Sequence, residues 1–246
     1  MKKLIALMVL CLFLSKVFAG TIDPETPDQK YIEYGSKFDS VVKICCFDGK
    51  GLSCGSAVVI DAEWIITAAH VVEGSQSCTI IMNKKKYNID KIIIHKNYKT
   101  HTFGYDDIAL GHIEEKIDLK YYPKIYQNSD EVGKICSISG WGFTGNFITG
   151  TKIHDDNRRA GSNFIDRIEK NVLICSPSKR KDKFTQLEFL ICSGDSGGGL
   201  FIDNKLAGIN SSVIGYDGKS DSTYGDESCH TRLSLYYNWI KEEMEK

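Results

Sequence analysis

Short apolar, β-branched runs recur along most of the chain, separated by clusters of Gly, Asn, Asp and Lys. The first half holds "SVVKICCF" (40–47), "GSAVVI" (55–60), "CTIIM" (78–82), "YNIDKIIIH" (87–95) and "DIALGHI" (107–113). The second half holds "KICSISG" (134–140), "NVLIC" (171–175), "GGGLFI" (197–202) and "KLAGINSSV" (205–213). Runs this short, bounded by turn-forming residues, predict β-strands. Only the end of the chain, "LSLYYNWIKEEMEK" (233–246), places Leu235, Trp239 and Ile240 at helical spacing ahead of a charged tail. About ten strands and one terminal helix predict an all-β architecture, closed or sandwiched. No repeat of fixed period and no low-complexity linker divides the chain.

The start departs from this pattern. In "MKKLIALMVLCLFLSKVFAG", Lys2 and Lys3 precede an apolar run from Leu4 to Leu14, and Val17-Phe18-Ala19 offers a cleavage site before Gly20. Residues 1–19 read as a secretory signal peptide, too short to span a bilayer. The protein is therefore expected to be secreted or periplasmic, with no membrane association once the signal is gone. Residues 20–30, "GTIDPETPDQK", are acidic, carry two of the four prolines, and read as an extended leader; the folded domain is expected over 31–246.

Removing residues 1–19 takes away Lys2, Lys3 and Lys16 and no acid, so the net charge falls from −1 to −4. That argues against a nucleic-acid partner, and "NKKKYN" and "SKRKDK" read as solvated loops. Beyond Cys11 there are eight cysteines: Cys45, Cys46, Cys54, Cys78, Cys136, Cys175, Cys192 and Cys229. An even count in an exported chain reads as four disulfides. No Cys-x-x-Cys or His-x-x-x-His pattern supports zinc, so no metal and no cofactor is expected.

The chemistry concentrates in "ICSGDSGGGLF" (191–201), where Ser196 stands between an aspartate and three glycines. A serine nucleophile needs a base and a group that orients the base. His70 ends "EWIITAAH", where an apolar strand gives way to small residues, and Asp107 stands at the mouth of "DIALGHI". Taken singly, each has a plainer reading: a core histidine, a strand-end charge, a turn. "GDSGG" also fits the G-x-S-x-G nucleophile elbow, which requires a helix after the serine and a histidine such as His230 later in the chain.

"TAAH", "DIAL" and "GDSGGG" in that order, with "SGWG" at 139–142, resemble the motifs of the chymotrypsin-like (trypsin-like) serine proteases from about residue 31 onward. The resemblance implies two six-stranded antiparallel β-barrels with a C-terminal helix. It implies a monomeric serine endopeptidase acting on proteins or peptides through an acyl-enzyme; the alternative is an exported binding module on the same scaffold. Ser196 is then the nucleophile, His70 the general base and Asp107 its orienter, with the backbone N–H groups of Gly194 and Ser196 forming the oxyanion hole. Asp195 corresponds to the aspartate that pairs with a newly cut α-amino terminus. A zymogen cut after Lys30, giving Tyr31 or Ile32, is one expectation; another partner for Asp195, with no cut, is the other.

The chain also departs from the family. The usual partner of Cys54 is replaced by Val71, and that of Cys136 is lost near Ile202. The resemblance then suggests that Cys45, Cys46, Cys54 and Cys78 pair among themselves, that Cys136 pairs with Cys175, and that Cys192 pairs with Cys229. The family's calcium loop falls near "NKKKYNID", whose three lysines argue against calcium. Leu190, six residues before Ser196, takes the place of the acidic pocket floor of trypsin-like members. With Ile191, Ser211, Ser212, Val213 and Ser228 as further substrate-binding positions, an uncharged aliphatic residue is expected before the scissile bond.

Overall fold

The structure, a computed structural model, describes residues 20–100, 104–153, 155–178 and 184–246. The expected signal peptide, His101, His154 and most of "SKRKDK" lie outside the described residues. The described part of the chain opens with strand β1 (Thr21–Ile22) and continues into helix α1 (Asp28–Gly35). Residues 20–30, expected to run extended, form this strand and the first turn of the helix. Gly20, Thr21 and Ile22 are buried, and Tyr31 has no exposed surface. The composition that suggested a leader starts a helix instead. Pro27 at the N-cap presets φ near −58°, and Asp28 places a negative charge in the first turn.

Six antiparallel strands then form a closed barrel. They are β2 (Val41–Phe47), β3 (Leu52–Asp61), β4 (Trp64–Thr67), β5 (Ser77–Met82), β6 (Lys85–Ile94) and β7 (Ala109–Ile113), in the order β2-β3-β4-β7-β6-β5. A one-turn helix, α2 (Ala69–Val72), sits between β4 and β5. Alternation places Val42, Ile44 and Cys46 of β2 inside the barrel with Ile65, Ile80 and Ile113, while Val41 points the other way. The same register puts Cys45 opposite Cys54 and Cys46 opposite Cys78, and both pairs are disulfide-bonded.

The second half comprises β8 (Ile135–Gly140), β9 (Thr144–Asn146), β10 (Gly150–Ile153), β11 (Arg159–Phe164) and β12 (Arg167–Glu169). It continues with β13 (Val172–Cys175), β14 (Phe189–Leu190), β15 (Gly199–Ile202), β16 (Lys205–Ile214) and β17 (Glu227–Arg232). Seven of these form an antiparallel sheet in the order β11-β8-β15-β16-β17-β13-β12. Its edges, β11 and β12, are separated only by Ile165 and Asp166. Counted as one bent strand, they make this the second six-stranded barrel. A small sheet, β10-β9-β1-β14, ties the start of the chain to this half, with Thr21 opposite Leu190 and Ile22 opposite Phe189.

A third apolar cluster joins the barrels. Val41, Ile66 and Leu110 from the first meet Phe201, Leu206 and Ile209 from the second, with Leu233, Tyr236 and Ile240 from the chain end. The terminal helix expected over 233–246 is a 3-10 turn at Leu233–Leu235 followed by α3 (Tyr237–Met244). Among the described residues no helix is long and apolar enough to cross a membrane.

Candidate active site

His70 lies in α2, just after β4, and Asp107 lies two residues before β7, the neighbour of β4 in the barrel. This pairing brings the two side chains together. The Asp107 Oδ2 atom is 2.7 Å from His70 Nδ1, and Oδ1 accepts the His70 backbone N–H at 3.0 Å. The Ser211 hydroxyl also donates to Oδ2, at 2.5 Å. Asp107 is only 2% exposed. Burial alone pushes its carboxyl up, but the hydrogen bonds and charge of His70, with the Ser211 hydroxyl, hold it below the ordinary carboxylate range.

Ser196 comes from the other barrel, in the turn between β14 and β15. Gly194 (φ 88°) and Gly197 (φ 84°) lie in the left-handed region on either side of it. A Cβ on Gly197 would stand 2.1 Å from both the Ser56 carbonyl oxygen and Thr67 Oγ1, so the turn fits against the first barrel only with glycine there. Ser56 fastens the two: its N–H donates to the Ser196 carbonyl at 2.8 Å and its hydroxyl to the Gly194 carbonyl at 2.7 Å. Among the described residues, the N–H groups of Gly194 and Ser196 have no hydrogen-bond partner. The Ser196 hydroxyl donates a long 3.5 Å bond to the Ser211 carbonyl. Ser211 thus touches Ser196 through its carbonyl and Asp107 through its hydroxyl. No strong local signal marked Ser56 for its part, and Ser211 was expected only to face substrate.

Asp195 points away from this turn and is buried. Its Oδ1 accepts the Gly142 N–H at 2.9 Å, and its Oδ2 accepts the N–H groups of Gly20 at 2.9 Å and Cys192 at 3.2 Å. Burial pushes its carboxyl up to about 6, against the effect of those three bonds.

The expected substrate-binding set is not gathered around one opening. Leu190 has no exposed surface, because β1 pairs with its strand and covers it. Ile191 belongs to the core of the second barrel. Ser228 is fully buried, its hydroxyl donating to the Cys175 carbonyl at 3.2 Å and lying 3.0 Å from His230 Nε2. These three are corrected from contact residues to core residues. Val213 is half-buried and packs on that same core, and Ser212 is half-buried beside Gly104. Glu227 is held by the two terminal guanidinium nitrogens of Arg167 at 2.6 and 2.7 Å.

Among the described residues two disulfides are formed where four were expected. Cys136 and Cys175 are neighbours in the second core, Sγ to Sγ 3.8 Å, but both are free thiols. The expected Cys192–Cys229 pair is corrected. Cys192 lies beside Thr151, whereas Cys229 packs with Val172 and Ile174 on the far strands of the sheet. His230 is buried against Asn210, His112 faces Asp90, and His95 lies between Tyr236 and Trp239. Strand β15 follows Ser196 directly, which removes the helix a nucleophile elbow requires. Among the described residues no group of three or more His, Cys, Asp or Glu side chains is placed to hold a metal ion.

The Trypsin family model matches residues 37–240. The chain belongs to the trypsin family. This protease is a serine endopeptidase, a hydrolase acting on proteins or peptides. It is 27% identical to chymotrypsin of Phaedon cochleariae over 216 residues, covering 78% of this chain and 72% of that protein. It is 29% identical to duodenase-1 of Bos taurus over 223 residues, covering 80% of each. In fold it is similar to HL collagenase, with a TM-score of 0.67 and 19% identity over 85% of this chain and 94% of that one. Mouse neuropsin, a serine protease expressed in the limbic system, is similar with a TM-score of 0.63 and 22% identity, covering 82% and 93%.

Proposed function

We propose that the protein is exported and hydrolyses peptide bonds through an acyl-enzyme on Ser196, with His70 as general base and Asp107 as the group that holds it. The observation that carries this reading is the run of contacts from Ser196 through Ser211 to Asp107 and His70, lying beside two unpaired backbone N–H groups. With Nδ1–H committed to Asp107, His70 Nε2 is left to take the Ser196 proton as Oγ attacks the substrate carbonyl. The negative oxygen that develops is met by the N–H groups of Gly194 and Ser196. One such donor lowers a barrier of this kind by roughly 3–4 kcal/mol. His70 then returns the proton to the leaving amine, and water, deprotonated by His70 in turn, releases the acyl group.

The residue before the scissile bond is proposed to be uncharged. The partly exposed Ser212 and Val213 of β16 supply no carboxylate, and Glu227 is already neutralised by Arg167. A substrate Lys or Arg buried there would lose its hydration without a counter-ion, at several kcal/mol or more. Wild type and Ser196→Ala, compared on a peptide library varied at that one position, test both parts. Ser196→Ala should lose several orders of magnitude in kcat with unchanged melting. Turnover in the variant equal to wild type would remove Ser196 from the chemistry. A folded wild type with no turnover would favour the binding module, and a preference for Arg or Lys would assign a pocket role to the buried Asp226.

A further inference from the structure

We propose that Asn210 and His230 are positioning residues for the oxyanion site: the His230 imidazole orients the Asn210 amide, and the amide aims the Ser196 N–H. This deepens the protease reading above and rests on it. Asn210 is the first polar side chain after the apolar stretch Leu206, Ala207, Gly208 and Ile209 of β16, and it has no exposed surface. Its main chain bonds the serine turn twice. The Gly197 N–H donates to the Asn210 carbonyl at 2.8 Å, and the Asn210 N–H donates to the Gly198 carbonyl at 2.9 Å. Its side chain adds a third hold: Nδ2 donates to the Asp195 carbonyl at 3.2 Å and also to the Ser139 carbonyl at 3.1 Å. A Cβ on Gly198 would lie 2.8 Å from Nδ2, so that glycine leaves the room the amide occupies.

The Asp195 carbonyl and the Ser196 N–H belong to one peptide group. That group is planar and trans, so its C=O and its N–H point in opposite directions. Its oxygen is held by Asn210 Nδ2 and by the Gly198 N–H, 2.8 Å away. Fixing the oxygen fixes the direction of the proton on the nitrogen. Donors on the carbonyl also polarise the peptide and make its N–H a stronger donor. Asn210 thus acts on the oxyanion through the peptide group, without touching substrate.

An asparagine can do this in only one of the two orientations of its amide. Turned over, it would set Oδ1 against two carbonyl oxygens. His230 decides between them. Its Nδ1 lies 2.9 Å from Oδ1, and both amide protons are already spent on carbonyls, so Nδ1 must carry a proton and donate it. His230 and Ser228 have no exposed surface, and burial pushes the imidazole down to about 3. His230 is therefore neutral, with its single ring proton on Nδ1. Nε2 keeps its lone pair and faces the Ser228 hydroxyl at 3.0 Å, whose one proton is divided between Nε2 and the Cys175 carbonyl at 3.2 Å. The chain from β17 to the serine turn is complete without a charge.

Three variants and one spectrum test this. Asn210→Leu keeps the shape of the amide without its donors, His230→Leu removes the group that orients it, and His230→Gln keeps a side-chain N–H for Oδ1. Asn210→Leu and His230→Leu should fall roughly 10- to 100-fold in kcat and in the rate of fluorophosphonate labelling, with KM little changed. His230→Gln should recover most of that loss. Nitrogen NMR of the wild-type protein should find His230 protonated on Nδ1 and not on Nε2. That tautomer in a folded protein with no turnover and no label would support the oriented amide while sinking the protease reading. A proton on Nε2 instead, or an Asn210→Leu enzyme labelled within about twofold of the wild-type rate, overturns the proposal. If leucine at either position prevents folding, Asn210→Ala takes its place and must show the same loss.

Discussion

Ser211→Ala isolates the support that Asp107 receives from the second barrel. It deletes the 2.5 Å bond onto Oδ2 and leaves untouched the Ser211 carbonyl that takes the Ser196 hydroxyl. Asp107 is 2% exposed, so bulk water does not replace the lost donor. A hydrogen bond to a buried charge contributes about 1.5–3 kcal/mol. Asp107 carries its greatest load when His70 becomes imidazolium, so about 1–2 kcal/mol of this should appear in the barrier, a roughly 5- to 30-fold fall in kcat/KM with KM little changed.

The same substitution has a pH signature. The folded Asp107 carboxyl lies below its ordinary value of 3.8, so its stabilisation is present above that value and is lost as pH falls through the lowered one. Removing the Ser211 hydroxyl raises the folded value. The stability gap between wild type and Ser211→Ala should therefore be full near neutral pH and shrink in acid. Ser211→Thr, which keeps the hydroxyl, should recover most of the activity. The assays are kcat/KM against pH and thermal melts at about pH 7 and about pH 3. A Ser211→Ala enzyme within about twofold of wild type, with a parallel melting profile, would refute the assigned contact.

Glu188 is buried, and burial pushes its carboxyl up to about 7, so ionisation works against the fold and stability should decline as pH rises between 4.5 and about 7. Glu188→Gln should gain roughly 1–3 kcal/mol by denaturant titration above that window and almost nothing below it. Arg159, 3% exposed and bonded to Asp28 and Asp155, pins the start of α1, and Arg159→Leu should cost about 2–4 kcal/mol in urea unfolding. Non-reducing peptide mapping should find Cys45 joined to Cys54 and Cys46 to Cys78, and no peptide joining Cys192 to Cys229.

The strands of the first barrel were legible because half-buried antiparallel strands leave period-two apolar runs, as Val42, Ile44 and Cys46 do in β2. Strand β11, "RAGSNF", left no such trace. It is a strand because β8 offers it a full ladder of partners. Helix α1 was hidden for a related reason: eight residues have too little propensity to declare themselves, and the fold holds them through Tyr31 and the Asp28–Arg159 pair. His70, Asp107 and Ser196 stood out because each ends or adjoins an apolar strand, where a polar residue is conspicuous. Asp195 and Gly20, 175 residues apart, share no local signal. Neither does the burial of Leu190, which depends on β1 lying across its strand. The adjacent cysteines 45 and 46 must point to opposite faces of β2, but which strands they meet is a property of the ladder register.

The central claim, that the serine held between Gly194 and Gly197 is the nucleophile, is tested most directly by active-site titration. A fluorophosphonate is added to the purified, processed protein and the adduct is located by peptide mass. One label per chain on Ser196, abolished by denaturation and reduced by orders of magnitude in His70→Ala, is the predicted result. A folded protein that takes no label, or takes it on another residue at the same rate with or without His70, would contradict the account.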